Sequence, residues 1–246
     1  MITLGIDIGG SGIKGAPVDV TTGEFTAERI RVDTPMPSTP ENCVQVVYEI
    51  VQKFKYNGPL GVTFPAVVKN GVTLTAANVD KSWIQFDAEA LLRKVTGLPV
   101  ILLNDADAAG IAEVAYGAGK DVMGTVILLT FGTGIGSAIF TDGMMVRNTE
   151  FGHMMIRGKD AERRCSAKVK EDKKLNWKQW TKRVNEYFAE LDKLFSPDLI
   201  IVGGGISKKF DKYEKLLKST AKIVPAHFFN DSGIIGAAIA AAEMGK

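Results

Sequence analysis

The chain has 246 residues, of which 46% are hydrophobic, 24% charged and 8% aromatic, and its formal net charge is +2. This combination excludes an intrinsically disordered chain, and no apolar run reaches the roughly 18–20 residues that a membrane-spanning helix needs. A net charge near zero gives no case for nucleic acid as the main partner. Glycine is the unusual component, at 26 residues against nine prolines, and glycine is common where backbone approaches a ligand closely.

The N-terminus and the cysteines bear on location. Met1–Asp7 has no basic stretch and contains an early acidic residue, which does not fit a signal peptide. Cys43 and Cys165 are the two cysteines, too few for a disulfide framework or a four-thiolate zinc site. We therefore expect two reduced thiols in a cytoplasmic protein that has no membrane partner.

Predicted strands and helices alternate along the chain. They are assigned from the periodicity of apolar residues and from residues that cap or stop helices. In chain order we predict strands Ile2–Ile8 and Ile13–Val20, helix Glu41–Lys55, strand Leu60–Phe64, helix Asp87–Val95 with Asp87 as N-cap, strand Leu98–Leu103, helix Ala106–Tyr116 opened by Asn104-Asp105, strands Thr125–Leu129 and Ala138–Phe140, helix Asn176–Phe195, strand Asp198–Val202 and helix Ser232–Met244. This alternation predicts a two-lobed α/β fold.

The glycines fall into three clusters, Gly5–Gly15, Thr130–Ser137 and Gly203–Gly205, each at the end of a strand-like run. Gly10-Ser11-Gly12-Ile13 matches Gly132-Thr133-Gly134-Ile135 at an offset of 122 residues, about half the chain. The first two clusters are followed by a second strand-like run and not by a helix. The pattern predicts an internal duplication in which each lobe opens on a glycine-turn hairpin.

Glycine turns of this kind can present backbone N–H groups to an anion. In the first loop Gly9, Gly10 and Gly12 offer backbone, Ser11 a hydroxyl and Lys14 a charge, and in the second Gly132 and Gly134 offer backbone and Thr130 and Thr133 hydroxyls. Asp7 precedes the first loop, where it can hold Mg²⁺ directly or through water. The loops are neither a Walker A loop nor a dinucleotide-binding turn, since those need a Gly-Lys-Ser/Thr end or a following helix.

These motifs resemble a known family. Asp7–Gly12 and Thr130–Gly136 are similar to the two phosphate motifs of the sugar-kinase and actin superfamily. Glu150-Phe151-Gly152-His153 resembles the Glu-x-Gly-His motif of the ROK sugar kinases, and Asn104–Ala109 resembles their catalytic segment. Glu150–Ser166, Ser196-Pro197-Asp198 and Gly203–Lys209 resemble the polyphosphate glucokinase branch of that family. The resemblance implies a two-lobed actin-like, ribonuclease H-like sugar kinase fold, with a small lobe of residues 1–103 plus 232–246 and a large lobe of residues 104–231.

For the chemistry, the resemblance implies transfer of a terminal phosphate to the 6-hydroxyl of glucose, which binds between lobes that close over it. The residues alone slightly favour Asp105 as a helix N-cap, with Asp107 as an equally acidic candidate base. The resemblance makes Asp105 the general base and leaves Asp107 structural. It assigns the sugar hydroxyls to a group of polar side chains: Asn78, Asn104, Glu150, His153 and Glu162.

The same resemblance assigns the phosphate donor to the glycine loops, with Asp7 and Mg²⁺ beside them. The donor residues are Asp7, Gly9, Gly10, Ser11, Gly12, Lys14, Thr130, Gly132, Thr133, Gly134, Gly203, Gly204 and Gly205. Most ROK sugar kinases carry a cysteine-rich zinc motif after Glu-x-Gly-His, but here that region holds only Cys165. We therefore expect no structural zinc, as in the polyphosphate glucokinase branch, and match Glu162 to the last residue of the missing motif.

The donor itself stays open between polyphosphate and ATP. Arg157–Arg183 contains eleven cations against four acids, and Lys208, Lys209 and Lys212 form a second basic group. Lys174, Lys178 and Lys182 are spaced to share one helix face. Charge alone favours a solvated surface; the branch resemblance favours an extended anion track. The Gly203–Gly205 turn resembles the family's adenosine site, so ATP is also expected as a donor.

Three alternatives compete with a polyphosphate- and ATP-dependent glucokinase. One is a strictly ATP-dependent ROK hexokinase acting on glucose or mannose. Another is a non-catalytic sugar-sensing ROK protein, against which the intact Asp7, Asp105 and glycine loops speak. The third is an actin-like filament protein, which would not need Glu150–His153. A homodimer is expected from the family, and the apolar stripe of Trp177–Phe195 either contributes to it or packs in the core.

Overall fold

The computed structural model describes residues 1–76 and 79–244. The chain divides into two compact units, one formed by Met1–Ala112 with the segment that begins at Asp231, the other by Glu113–Asn230. The expected small lobe (residues 1–103 and 232–246) and large lobe (104–231) stay a prediction. Among the described residues, no helix has the length and apolar character to cross a bilayer.

The strands fall close to the predicted runs. In chain order those of the described residues are β1 (Ile2–Ile8), β2 (Ile13–Asp19), β3 (Glu24–Phe25), β4 (Ile30–Val32), β5 (Leu60–Phe64), β6 (Val68–Lys69), β7 (Val72–Thr73), β8 (Phe86–Asp87), β9 (Val100–Asn104), β10 (Thr125–Phe131), β11 (Ile135–Thr141), β12 (Met144–Val146), β13 (Met155–Ile156), β14 (Lys159–Asp160), β15 (Leu199–Gly203) and β16 (Lys222–Pro225). The short strands β3, β4, β6–β8, β12–β14 and β16 were not predicted, because runs of two to four residues carry no readable periodicity.

The helices begin where their capping residues stand. Those of the described residues are α1 (Pro40–Lys53), α2 (Ala88–Thr96), α3 (Asp105–Tyr116), α4 (Glu162–Cys165), α5 (Ala167–Asp172), α6 (Trp177–Phe195) and α7 (Ser232–Glu243). The Asp87 side chain accepts from the backbone N–H of Ala90, which confirms the predicted N-cap of α2. Asn176 and Gln179 form a reciprocal capping box at the start of α6, which satisfies backbone donors that a helix start leaves unpaired.

The first unit is built on a mixed sheet with strand order β3-β2-β1-β5-β9, in which β4 also pairs with β2. Strand β1 runs antiparallel to β2 and parallel to β5, and β5 runs parallel to β9. Helix α7 packs on this sheet at very short range: a Cβ on Gly5 or Gly61 would lie 1.9 Å from a backbone oxygen of α7. These two glycines therefore set how closely the small-residue helix approaches β1 and β5.

The second unit repeats that sheet. Its strand order is β12-β11-β10-β15-β16, with β10 antiparallel to β11 and parallel to β15, and β15 parallel to β16. Strand β11 begins 122 residues after β2 (135 against 13) and β10 begins 123 after β1 (125 against 2), so the first glycine turn is one residue longer. The matching order and directions confirm the predicted internal duplication.

Helix α6 forms much of the core of the second unit. Trp180, Tyr187 and Phe188 on its inner face are fully buried, and the indole N–H of Trp180 donates to the carbonyl of Cys165 at 2.8 Å. The apolar stripe is therefore core, while its ends, Trp177 and Phe195, are half-buried. The prediction that Lys174 shares a helix face with Lys178 and Lys182 is wrong, because Lys174 precedes α6 in a turn with φ of 49°.

Candidate functional site

The first glycine loop joins β1 to β2 and is closed by a hydrogen bond from the N–H of Gly9 to the carbonyl of Gly12, at 3.0 Å. Asp7 and Lys14 are cross-strand partners in this hairpin. Oδ1 of Asp7 accepts from the Thr63 hydroxyl at 2.8 Å, and Nζ of Lys14 lies 3.4 Å from Oδ2. The Asp7 side chain is 17% exposed, so the carboxylate is held firmly and remains accessible at the strand end.

Arg31 is a cation at this loop that sequence reasoning missed. Its Nη2 donates to the carbonyl of Ser11 at 3.0 Å, and its Nη1 lies 2.6 Å from Oδ1 of Asp33. A Cβ built on Gly12 would come within 2.9 Å of Arg31 Nε. Arg31 reaches the loop because β4 pairs with β2. No local sequence pattern predicts this strand pairing.

The candidate base stands at the junction of β9 and α3. Oδ1 of Asn104 accepts from the backbone N–H groups of Ala106 at 2.8 Å and Asp107 at 3.1 Å, and its Nδ2 donates to the carbonyl of Ala66 at 3.0 Å. Asp105 is exposed and also accepts from the N–H of Ala106 at 2.8 Å. Asp107 is only 2% exposed. Asn104 thus takes the capping role, and Asp105 is the carboxylate that a substrate can reach.

Three of the predicted sugar-binding residues, Glu150, His153 and Glu162, lie in the second unit. Burial raises the pKa of the Glu150 carboxyl; the nearby His153 lowers it and the carboxylate of Glu162 raises it, so the three side chains interact. Oε2 of Glu162 lies 3.4 Å from the backbone N of Ile135, and a Cβ on Gly134 would be 2.5 Å from it. The predicted sugar group therefore touches the second glycine loop. Asn78 lies outside the described residues.

Asp160 joins this group and was missed from the sequence. Its Oδ2 lies 3.6 Å from Nδ1 of His153 and 3.3 Å from Nε of Arg163. His153, Asp160 and Glu162 each offer a ligand atom, and these atoms lie within 4.8 Å of one another. His153 is 61% exposed, and a closed structural zinc site takes four ligands, so one imidazole and two carboxylates suit hydrogen bonding to hydroxyl groups better.

A cavity of about 410 Å³ in the second unit brings two of the glycine clusters together. Its lining combines the second loop, α5, the start of α6 and the turn after β15: Phe131, Gly132, Thr133, Ala167, Lys168, Lys170, Glu171, Trp177, Gly205, Ile206 and Lys209. We call it the Trp177 cavity. Its mixture of glycine backbone, a hydroxyl, lysines and two aromatic residues, Phe131 and Trp177, fits an anionic ligand that also carries a flat group. Thr130, a predicted donor residue, is not part of this lining; its methyl carbon would lie 3.4 Å from a Cβ built on Gly203.

Two features of this cavity could not be read from the sequence. Nζ of Lys170 lies 4.1 Å above the Trp177 ring, and that ring stacks on Tyr213 at 4.9 Å between centroids. Periodicity places Trp177 in the apolar stripe, but as the first residue of α6 it lies at the rim. Gly204 has φ of 78°, and a Cβ there would lie 2.4 Å from the carbonyl oxygen of Phe131, so the third turn requires glycine.

Comparison with known proteins gives a consistent result. The ROK family model matches residues 3–169. A Mycobacterium tuberculosis protein named polyphosphate glucokinase is 50% identical over 238 residues, covering 96% of this chain and 90% of the relative. A crystal structure of the inorganic polyphosphate/ATP-glucomannokinase from Arthrobacter sp. strain KM is 48% identical, with a TM-score of 0.93 and 99% coverage of both chains.

A more distant structure supports the fold. The ROK family glucokinase from Streptomyces griseus, solved with glucose and AMPPNP, is 24% identical with a TM-score of 0.83, covering 99% of this chain and all of that one. Together with the repeated sheets, these likenesses establish the expected α/β fold, the actin-like sugar kinase fold. The chain belongs to the ROK family.

Proposed function

We propose that this protein is a glucokinase that transfers the terminal phosphate of inorganic polyphosphate, and also of ATP, to the 6-hydroxyl of glucose. The observation that carries the proposal is the exposed carboxylate of Asp105 at the end of β9, in a chain 50% identical to a protein named polyphosphate glucokinase. A positioned carboxylate is what an alcohol acceptor needs, since its proton must leave as the oxygen attacks phosphorus.

In the proposed reaction Asp105 accepts the proton of the 6-hydroxyl. Asn104 supports this role by capping α3, which fixes the first turn from which Asp105 extends. Asp107, which is buried, is assigned a structural role.

The ring hydroxyls of glucose are assigned to Glu150, His153 and Glu162, with Asn104 and Asn78 as further partners. What supports this is the mutual proximity of the first three side chains and their contact with the second glycine loop. Carboxylates accept from sugar hydroxyls, and imidazole can donate or accept. Asp160 beside His153 orients the ring, so we add Asp160 to the site as a positioning residue.

The donor phosphates are assigned to the glycine loops. In the first unit these are Asp7, Gly9, Gly10, Ser11, Gly12 and Lys14, and in the second Thr130, Gly132, Thr133, Gly134 and Gly203–Gly205. Asp7 fits Mg²⁺, because its partly exposed carboxylate is a hard oxygen ligand and Mg²⁺ takes few protein ligands while keeping waters. When bound, Mg²⁺ neutralises charge on the donor phosphates. The amides of the loops and Lys14 act on the same charge.

ATP is assigned to the Trp177 cavity. Its volume of about 410 Å³ suits a small-molecule ligand, and Lys168, Lys170 and Lys209 in its lining offer positive charge to the phosphates of ATP. A strictly ATP-dependent hexokinase would use the same cavity for its donor. For the oligomer and location, we propose a homodimer, as the family resemblance implies, in the cytoplasm, where the free buried thiols of Cys43 and Cys165 stay reduced.

A coupled assay for glucose 6-phosphate tests this proposal, run first with ATP and then with long-chain polyphosphate. We expect product with both donors, and a comparison of glucose with mannose gives the sugar preference. Product with ATP alone would favour a strictly ATP-dependent hexokinase. Absence of product with either donor on any hexose would favour a sugar sensor and refute the proposal.

A further inference from the structure

A second cavity of about 460 Å³ lies in the second unit and shares no lining residue with the Trp177 cavity. Seven cationic side chains line it against one carboxylate, that of Glu186. They come from the β13–β14 hairpin, from α4, and from the segment between α5 and the first half of α6. We call it the basic cavity. So many like charges around one space repel one another unless an anion occupies it.

The ion pairs within the described residues leave much of this charge uncompensated. Glu186 pairs with Arg157 at 3.0 Å and with Arg164. By contrast, Lys159, Lys173 and Lys182 form no ion pair with any residue in 1–76 or 79–244. Surface lysines are often unpaired, but three around one cavity give it a strongly positive field.

Arg164 adds a second observation. Its side chain is 19% exposed, and its Nε is buried without a hydrogen-bond partner among the described residues. A buried donor on a charged group that lacks a partner is costly. Arg164 also lines the basic cavity, so its guanidinium adds to the positive charge there.

The backbone at Arg157 gives a third observation. Arg157 and Gly158 are the two loop residues between β13 and β14, and both have positive φ, at 50° and 75°. A two-residue turn of this kind prefers Asn-Gly, because a long side chain at the first position is disfavoured there. The chain carries arginine at that position, and its guanidinium reaches Glu186 at the basic cavity. Positive φ also occurs at Lys55 and Lys174, so what distinguishes Arg157 is that this turn brings its guanidinium to the lining of the basic cavity.

The two cavities adjoin. Glu171 lines the Trp177 cavity and Lys173 lines the basic cavity, and these residues are two apart at the end of α5. Two residues of chain span at most about 7 Å. Lys168 and Lys170 on one side and Lys173 on the other continue the positive charge from one cavity into the next.

We infer that the basic cavity anchors a distal part of a long polyphosphate chain while its reacting end lies at the donor site, so that this cavity selects for chain length. The inference rests on the proposed use of polyphosphate as donor. A linear polyanion carries charge along its whole length, so it can occupy both cavities at once. A nucleoside triphosphate or tripolyphosphate has too few phosphates to fill the donor site and the basic cavity together.

A matched pair of variants tests this. Lys182 lines the basic cavity, whereas Lys178, one turn earlier on α6 and also exposed, does not. Lys182→Met and Lys178→Met change net charge equally. We expect Lys182→Met to weaken binding of long-chain polyphosphate to the full-length protein about tenfold, the effect of losing one charged contact. We expect Lys178→Met to stay within about twofold of wild type.

Calorimetric titration without glucose provides the readout. Removing one phosphate contact should also lower the slope of log affinity against log salt by about one for Lys182→Met alone. Tripolyphosphate and inorganic phosphate should bind wild type and both variants alike. Equal losses of long-chain affinity in the two variants would show a general electrostatic effect. Equal losses of affinity for short and long anions in Lys182→Met would show a simple phosphate site. Either result would overturn the inference.

Arg157→Asn separates binding from folding. Asparagine suits the positive φ, so the melting temperature should stay or rise while long-chain affinity falls. Unchanged long-chain affinity would overturn the inference. Turnover of glucose with polyphosphate by wild type tests the donor assignment separately. Normal turnover by wild type, together with unchanged long-chain affinity in Lys182→Met, would refute only the role inferred for the basic cavity. Absence of turnover by wild type would refute the proposed function.

Discussion

Asn104 and Asp105 divide two tasks at the start of α3. The side-chain oxygen of Asn104 accepts from two backbone N–H groups of the helix, at 2.8 and 3.1 Å, while Asp105 extends its carboxylate into solvent. The residues alone favoured Asp105 as the cap. With Asn104 in that role, an acidic residue at position 105 is not needed for the helix to begin.

Asn104→Ala should therefore destabilise the protein more than Asp105→Asn. Loss of the cap and of the bond to the Ala66 carbonyl should lower the free energy of unfolding by about 1–2 kcal/mol. Asparagine at position 105 keeps an acceptor for the N–H of Ala106, so that change should stay within about 0.5 kcal/mol. Chemical denaturation of both variants checks this, and equal losses would contradict the division of tasks.

Glu150 should make both sugar binding and stability depend on pH. Burial raises the pKa of its carboxyl, so the folded protein binds this proton more tightly than the unfolded chain. The resulting stabilisation is present below the unfolded pKa and is lost as pH rises through the raised folded pKa. Glu150→Gln should therefore raise the melting temperature at neutral pH, with the gain shrinking in acid.

The same change should remove a pH effect on glucose binding. In the wild type the KM for glucose should rise as pH falls through the raised pKa of Glu150, because the protonated carboxyl loses acceptor capacity. The KM of Glu150→Gln should be higher and flat over that range. A variant that keeps the wild-type pH profile would remove Glu150 from the sugar site.

Gly204→Ala should damage the third glycine turn. The backbone there has φ of 78°, and a Cβ would meet the Phe131 carbonyl at 2.4 Å. We expect a loss of at least about 1–2 kcal/mol in unfolding free energy. Gly205→Ala is the matched control, since a Cβ there meets nothing within 4 Å. Similar melting temperatures for the two variants would show that the turn can adapt.

Trp177→Ala should separate the two donors. Tyr213 stacks on the Trp177 ring and Lys170 lies over it, so a base stacks on Trp177 only where it displaces Lys170. If it does, loss of the ring should raise the KM for ATP about 5- to 100-fold, as for other base-stacking aromatics, and change the KM for tripolyphosphate much less. Trp177→Phe should restore most of the ATP affinity. An equal effect on both donors would mean that Trp177 only supports the cavity wall through Tyr213.

The sequence predicts this fold well because its signals are local. The two hairpins carry their own glycine turns, and Asp87 and Asn176 are caps that can be read within one helical turn. Arg31 and Asp160 were missed because distant strand pairing or a hairpin brings them to the site. Lys174 was placed wrongly because periodicity cannot show that the backbone turns before α6. Patterns along the chain thus give elements, while contacts between elements complete the site.

The turnover number of Asp105→Asn with long-chain polyphosphate and glucose, measured beside its affinity for glucose, tests the central claim most directly. General base catalysis contributes about 10²- to 10⁴-fold, so kcat should fall by that factor. The Kd for glucose should stay within about threefold of wild type, since the asparagine keeps the size and hydrogen-bonding capacity of the side chain. A variant that retains nearly the wild-type kcat would contradict the account.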